Sequence, residues 1–168
     1  AITFHPPMKE TEKLTIGITH GDINGVGYEV IIKTQSDPRL PEMFTPVIYG
    51  SSKAFTAYRK LLGLPAVAVN VIQQAQDAKP GTVNIINTAA DDIRIEPGSS
   101  TPEAGSAAYA ALECAVTDLR SSTIDALVTA PINKANIQSS TFTFPGHTEY
   151  LEASLGEGTD KALRILYN

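Results

Sequence analysis

The sequence is short of the features that mark membrane, disulfide-built and nucleic-acid-binding proteins. Among 168 residues there is one cysteine, Cys114, so no intrachain disulfide forms, and a reducing, cytoplasmic setting is expected. No apolar run approaches the ~20 residues of a membrane helix. The Lys- and Pro-bearing start holds no signal-peptide core. Basic residues are in deficit: 13 Lys and Arg against 18 Asp and Glu give a net charge of −5, the wrong sign for binding a phosphate backbone. Neither a nucleic-acid nor a membrane partner is therefore expected. The three histidines, His5, His20 and His147, are scattered, and no H-x-x-x-H or C-x-x-C pair accompanies them, so no residue of this chain is assigned to a metal. What is present, 42% hydrophobic and 18% charged residues, is ordinary globular composition at a length that buries one sizeable core.

Periodicity and punctuation predict an α/β chain. Residues 1–12 carry Pro6 and Pro7 and no apolar period, and are expected to form a loosely held tail ahead of an α/β portion spanning 13–168. Lys13–Thr19 is a β-rich run leading to a glycine-spaced turn, followed by a helix over Glu29–Gln35 that Pro38 and Pro41 close off. Pro46–Tyr49 is apolar and β-branched, a buried strand. Ser51 or Ser52 can cap the next helix, whose Phe55, Tyr58, Leu61 and Leu62 share helical spacing before Gly63 stops it. Val67–Ile72 and Val83–Ile86 predict two more strands, separated by a Pro80-Gly81 turn, and Asp91–Ser100 a loop. Thr101, Pro102 and Glu103 suit the cap and first turn of a helix with Ala108, Leu112, Ala115, Val116 and Leu119 on one face. Cys114 falls in that helix and is expected as a small thiol near the core. Asp125–Thr129 predicts a buried strand stopped by Pro131, Thr148–Leu155 a short helix, and Lys161–Tyr167 a last strand. Strands alternating with helices imply a mostly parallel sheet flanked by helices. A final strand ending flush with Asn168 suggests a piece of a longer protein, although a complete domain can also end so.

Three segments offer chemistry. In Gly17–Glu29, glycines at 21, 25 and 27 sit between a strand and a helix, where backbone amides favour an anion. Neither the phosphate-loop nor the dinucleotide glycine spacing is met, and the loop serves equally as a structural turn or a ligand loop. Asp22 there is either a cap or a functional carboxylate, and His20 is compatible with a solvent-facing turn. Thr129–Lys134 follows a strand at its carboxyl end, the ligand side of open α/β sheets, and Lys134 can meet a phosphate or carboxylate or move a proton. In Phe144–Tyr150, His147 at a helix start is expected to be neutral, and Thr148 can cap the helix or donate to a ligand. On spacing alone, a cap plus a surface histidine ranks first for this segment.

Taken together, Ile18–Val30, Val128–Lys134 and Phe144–Leu151 resemble the 4-hydroxythreonine-4-phosphate dehydrogenase family, in order along about Lys13 to Asn168. The first motif departs most, since many relatives carry Pro where His20 and Tyr28 stand and a Pro-containing pair at Ile23-Asn24. The resemblance implies a fold similar to isocitrate and isopropylmalate dehydrogenases, incomplete in this chain, which would be the N-terminal half. It implies NAD-dependent oxidation of 4-phosphooxy-L-threonine, then decarboxylation to 3-amino-2-oxopropyl phosphate, in pyridoxal phosphate biosynthesis. His147 and Thr148 map onto substrate-binding positions. Lys134 and Asp22 line the same cleft, as anion contact and loop organiser. A divalent cation (Zn, Mg or Co) and a homodimer are implied, with the metal ligands and much of the NAD site beyond Asn168, so that these residues alone are expected to be inactive. A related dehydrogenase of a sugar-acid phosphate, of threonate or erythronate type, fits the same motifs. A naturally short product would instead be a non-catalytic phosphate-ligand or dimerisation module.

Overall fold

A computed structural model describes residues 13–139, 141–163 and 165–166. The tail expected over 1–12 lies outside the described residues. Five strands, β1 (Thr15–Thr19), β2 (Thr45–Gly50), β3 (Val69–Ile72), β4 (Val83–Asn87) and β5 (Ala126–Thr129), form one sheet in the order β3-β4-β2-β1-β5. Every pairing is parallel. Among the described residues, four helices lie between strands, α1 (Gly27–Gln35), α2 (Leu40–Met43), α3 (Ser52–Leu61) and α4 (Pro102–Arg120), and α5 (His147–Leu155) follows β5.

Strand alternation distributes the apolar side chains to two cores. Ile18, Ile48 and Ile85 pack with Ile31 and Ile32 of α1 and with Phe55 and Tyr58 of α3. Val47, Tyr49 and Ile86 belong to a second cluster with Ala111 and Ala115 of α4 and with Ile124. The alanines let α4 lie close to the sheet. Its remaining face, Ala108, Leu112 and Val116, packs on Ile137, Phe142 and Tyr150. Cys114 is half-buried at the second cluster's margin, and burial pushes its thiol pKa up, as expected of an inert structural thiol.

Several local expectations need correction. The first helix starts at Gly27 rather than Glu29, with no side-chain cap. Pro41 does not merely end a helix but sits in the first turn of the short α2. The strand predicted from Val67 begins at Val69, and a 3-10 turn at Ala75–Asp77 intervenes before β4. Of the strand predicted over Lys161–Tyr167, Arg164 and Tyr167 lie outside the described residues; the others are irregular, with Leu163, Ile165 and Leu166 at 85%, 80% and 85% exposed. These three have strand propensity but no neighbouring strand among the described residues, and propensity acts only on a pleated surface with partners.

Topology fixes where the site lies. β1 stands between β2 and β5, and the chain steps first to the β2 side, returning across β1 to β5 only after β4 and α4. The carboxyl ends of β1 and β5 thus flank the topological switch point, where open α/β sheets bind ligands.

Candidate functional site

The loops that leave β1 and β5 are in direct contact. The Asp22 amide donates to the Pro131 carbonyl at 2.9 Å. Gly21 has φ +69°, and a Cβ there would collide with that same carbonyl oxygen, so this approach requires glycine. Asp22 is 8% exposed, and its Oδ1 accepts the Asn24 amide at 3.1 Å, which folds the loop back towards α1. The Asp22 carboxylate, expected as loop organiser, thus spends Oδ1 on the backbone of its own loop.

His20 is not a solvent-facing turn residue. It is fully buried, its Nε2 lies 3.2 Å from the Ala107 carbonyl of α4, and its ring is 5.4 Å from that of Tyr28. Donation to that carbonyl puts the proton on Nε2, leaving Nδ1 buried without a partner. Burial lowers the His20 pKa to about 4, against a smaller upward pull from the Ala107 hydrogen bond. Tyr28 accepts the Ser51 amide at 2.7 Å and donates to the Ser51 carbonyl at 3.2 Å, and burial raises its pKa. The one sequence cue to these burials is that His20 and Tyr28 flank a glycine cluster at the end of a central strand.

A second group of polar residues gathers at the start of α5. Lys134 is exposed and, among the described residues, belongs to no ion pair. It lies in a turn stapled by Asn133, whose Oδ1 accepts the Ala135 and Asn136 amides at 3.0 and 3.3 Å. A Cβ built on Gly146 would lie 3.9 Å from Lys134 Cε, so the lysine stem reaches the N-terminal end of α5. Gly146, not Thr148, occupies the cap position, and no side chain caps the helix. The cap role considered for Thr148 is thereby excluded, because the helix already begins at His147 and Thr148 is its second residue. Histidine 147 is half-buried, its Nε2 is buried without a hydrogen-bond partner, and burial lowers its pKa. Glu149 is the nearby carboxylate. An aromatic cluster of Tyr109, Phe142, Phe144 and Tyr150 fastens this segment to α4. The structure thus places Lys134, His147 and Thr148 together and Asp22 in the adjoining loop.

A cavity of about 820 Å³ opens beside this region, between the carboxyl end of β4 and the first turns of α4. Asp92, Glu96 and Glu103 against Arg94 make its rim acidic. Among the described residues, no group of three or more His, Cys, Asp or Glu is arranged to hold a metal ion. The donor set here does not fit a metal.

Comparison with known proteins agrees with the motifs. The family model described as pyridoxal phosphate biosynthetic protein PdxA matches residues 42–168. The chain belongs to the PdxA family. It is 50% identical over 157 residues to a 4-hydroxythreonine-4-phosphate dehydrogenase of Bacteroides thetaiotaomicron, covering 94% of this chain and 43% of that protein. It is 34% identical over 138 residues to a D-threonate 4-phosphate dehydrogenase of Cupriavidus necator, covering 81% and 41%. A crystal structure of a 4-hydroxythreonine-4-phosphate dehydrogenase from Burkholderia phymatum superposes with a TM-score of 0.76 at 32% identity, over 87% of this chain and 44% of that one. This PdxA-family chain therefore spans less than half the length of these relatives, and its parallel sheet corresponds to part of the fold of the longer crystal structure.

Proposed function

We propose that this chain supplies the substrate-anion side of a dehydrogenase that oxidises 4-phosphooxy-L-threonine with NAD. The observation that carries this reading is the group of uncommitted polar atoms at the α5 start. Among the described residues, the Lys134 ammonium, the helix-start amides, the Thr148 hydroxyl and His147 Nε2 have no hydrogen-bond partner, with Glu149 nearby. An ammonium beside an uncapped helix start suits a phosphate or carboxylate. Burial keeps the His147 ring neutral near pH 7, so it exchanges a hydrogen bond with substrate without adding charge.

A bound nicotinamide dinucleotide would supply the hydride acceptor for the secondary alcohol carbon, whose hydroxyl loses its proton in the oxidation. The product is a ketone β to the carboxylate. Cleavage of the bond to that carboxylate releases carbon dioxide and leaves an enol that, once reprotonated, is 3-amino-2-oxopropyl phosphate. Towards the dinucleotide this chain offers the start of α1, where Gly25 and Val26 are exposed and no side chain caps the amides. A divalent metal (zinc, magnesium or cobalt) would take its ligands from outside the described residues, in a cytoplasmic homodimer. The 168-residue chain alone then turns over no substrate, and NADH production by it, free of the longer protein, would refute that part.

A second reading, oxidation of D-threonate 4-phosphate, is supported by relatives named for that substrate. The deciding assay is NAD reduction by the product of the complete reading frame on 4-phosphooxy-L-threonine, D-threonate 4-phosphate and 4-phosphoerythronate, each repeated with His147→Ala. Preference for the amino substrate, lost in the variant, is the expected result. Preference for a sugar-acid phosphate establishes the second reading, and unchanged activity in the variant removes His147 from the site.

A further inference from the structure

The segment between β4 and α4 carries no motif, yet it touches both loops of the candidate site. From the glycine loop, Asn24 reaches it with backbone and side chain. Its carbonyl accepts the Gly98 amide at 2.8 Å, its Oδ1 accepts the Glu96 amide at 2.8 Å, and its Nδ2 donates to Thr101 Oγ1 at 3.4 Å. Asn24 is 3% exposed, so these bonds are largely shielded from water. From the loop after β5, Asn133 Nδ2 donates to Ser100 Oγ at 3.2 Å. Asn133 also staples the turn that carries Lys134, with its other side-chain atom. Immediately beyond, Gly105 lies so close to the Asn136 carbonyl that a Cβ there would overlap it.

We propose that residues 96–105 form a bracket that sets the spacing of the two site loops, with Asn24, Ser100 and Asn133 as positioning residues for Lys134. The inference rests on the substrate reading above but is separable from it. Asn133 uses its amide oxygen for its own turn and its amide nitrogen for the bracket, whereas Asn24 gives the bracket both ends of its side-chain amide, so neither loop can shift without breaking a bond to it. None of the three residues is given a contact with substrate. Their effect is on where the Lys134 ammonium stands relative to the α5 start.

Ser100 offers a clean perturbation, because it is exposed and Ser100→Ala removes one acceptor without touching the Asn133 staple. In the product of the complete reading frame, Ser100→Ala is expected to raise KM for the phosphorylated substrate about three- to tenfold, the scale of one lost hydrogen bond, with kcat within about twofold. Ser100→Thr keeps the hydroxyl and is expected to restore KM. In an Asn133→Ala background, Ser100→Ala should do nothing further, since the partner is already gone. Amide hydrogen exchange across 130–136 is expected to quicken in Ser100→Ala while β3 and β4 keep the parent rate. A KM and an exchange pattern identical to the parent, or additive effects in the double variant, would overturn the bracket. If the parent turns over none of the phosphorylated substrates, the substrate reading fails, while the exchange data still decide for or against the bracket.

Discussion

A buried histidine with an unpartnered nitrogen makes folding stability depend on pH with a calculable sign. In the unfolded chain an imidazole titrates near 6.5, and burial holds His20 at about 4. As pH falls below 6.5 the unfolded chain takes up a proton that the folded protein refuses. Stability is therefore full above 6.5, declines between 6.5 and 4, and levels off once both states are protonated. A difference of about 2.5 units at 1.36 kcal/mol each makes the whole loss about 3 kcal/mol, a large share of the roughly 5–15 kcal/mol by which domains are stable. His147, also lowered by burial, adds a loss of the same sign. Carboxylates titrate over the lower part of the same range, so the measurement must be a comparison. Glutamine at position 20 does not titrate, and its amide can still donate to the Ala107 carbonyl. Urea unfolding of the parent and of His20→Gln at pH 7 and pH 4.5 should show the parent losing about 2–3 kcal/mol more than the variant over that interval. Equal losses in both proteins would refute the reasoning, showing that His20 is either solvated or matched by a charge in the folded state.

Gly105→Ala sets helix propensity against packing. The substitution would gain about 1 kcal/mol in an exposed helix. Here the added Cβ overlaps Asn136 backbone and lies 3.0 Å from the Ile137 amide nitrogen, so a net loss of about 1–2 kcal/mol is expected by denaturant titration, with Ser106→Ala as the neutral neighbour. Thr101→Ala removes the α4 cap, a 3.2 Å bond to the Ala104 amide, together with Asn24's partner, and is expected to cost about 1–2 kcal/mol that Thr101→Ser largely restores. Lys134→Met should raise KM for a phosphorylated substrate at least about tenfold, whereas Asp22→Asn, which keeps an acceptor for the Asn24 amide, should change it less than about threefold. The reverse order in steady-state kinetics would place the anion at the glycine loop.

The local rules of the sequence translate well where the cause is local. Thr101 and Ser51 cap α4 and α3 through their side chains because each follows extended backbone and precedes a helical run. Gly63, just past α3, takes the positive φ of 61° that a helix stop needs. Thr148 had the chemistry of a cap but not the position, because Gly146 with extended backbone had already ended the loop. Leu163, Ile165 and Leu166 have the composition of a strand, but no strand pairs with them among the described residues. His20 illustrates the larger gap: polarity and a neighbouring glycine suggest a turn at the surface, yet α4 covers it from 87 residues away. Separations of 77 and 33 residues likewise hide the Asn24–Thr101 and Asn133–Ser100 links, which no periodicity encodes. The motifs were legible as chemistry, but which of their polar atoms remain free is a property of the tertiary fold.

That accounting of free atoms separates the tasks of the two site loops. In the glycine loop, Asp22, Asn24 and Tyr28 all spend hydrogen-bonding groups on backbone or bracket, and His20 is shut away from solvent. Its exposed face is Gly25 and the apolar Val26, the latter 56% exposed, at the start of α1. At the α5 start the balance is reversed: among the described residues, Lys134 has no ion-pair partner, His147 Nε2 has no hydrogen-bond partner, and the helix amides lack a side-chain cap. Rigid backbone donors tolerate any ligand that brings an acceptor, whereas an ammonium, a hydroxyl and an oriented imidazole discriminate among ligands by charge and shape. Under the proposed function, substrate choice would fall to Lys134, His147 and Thr148, with the glycine loop as the fixed edge beside them.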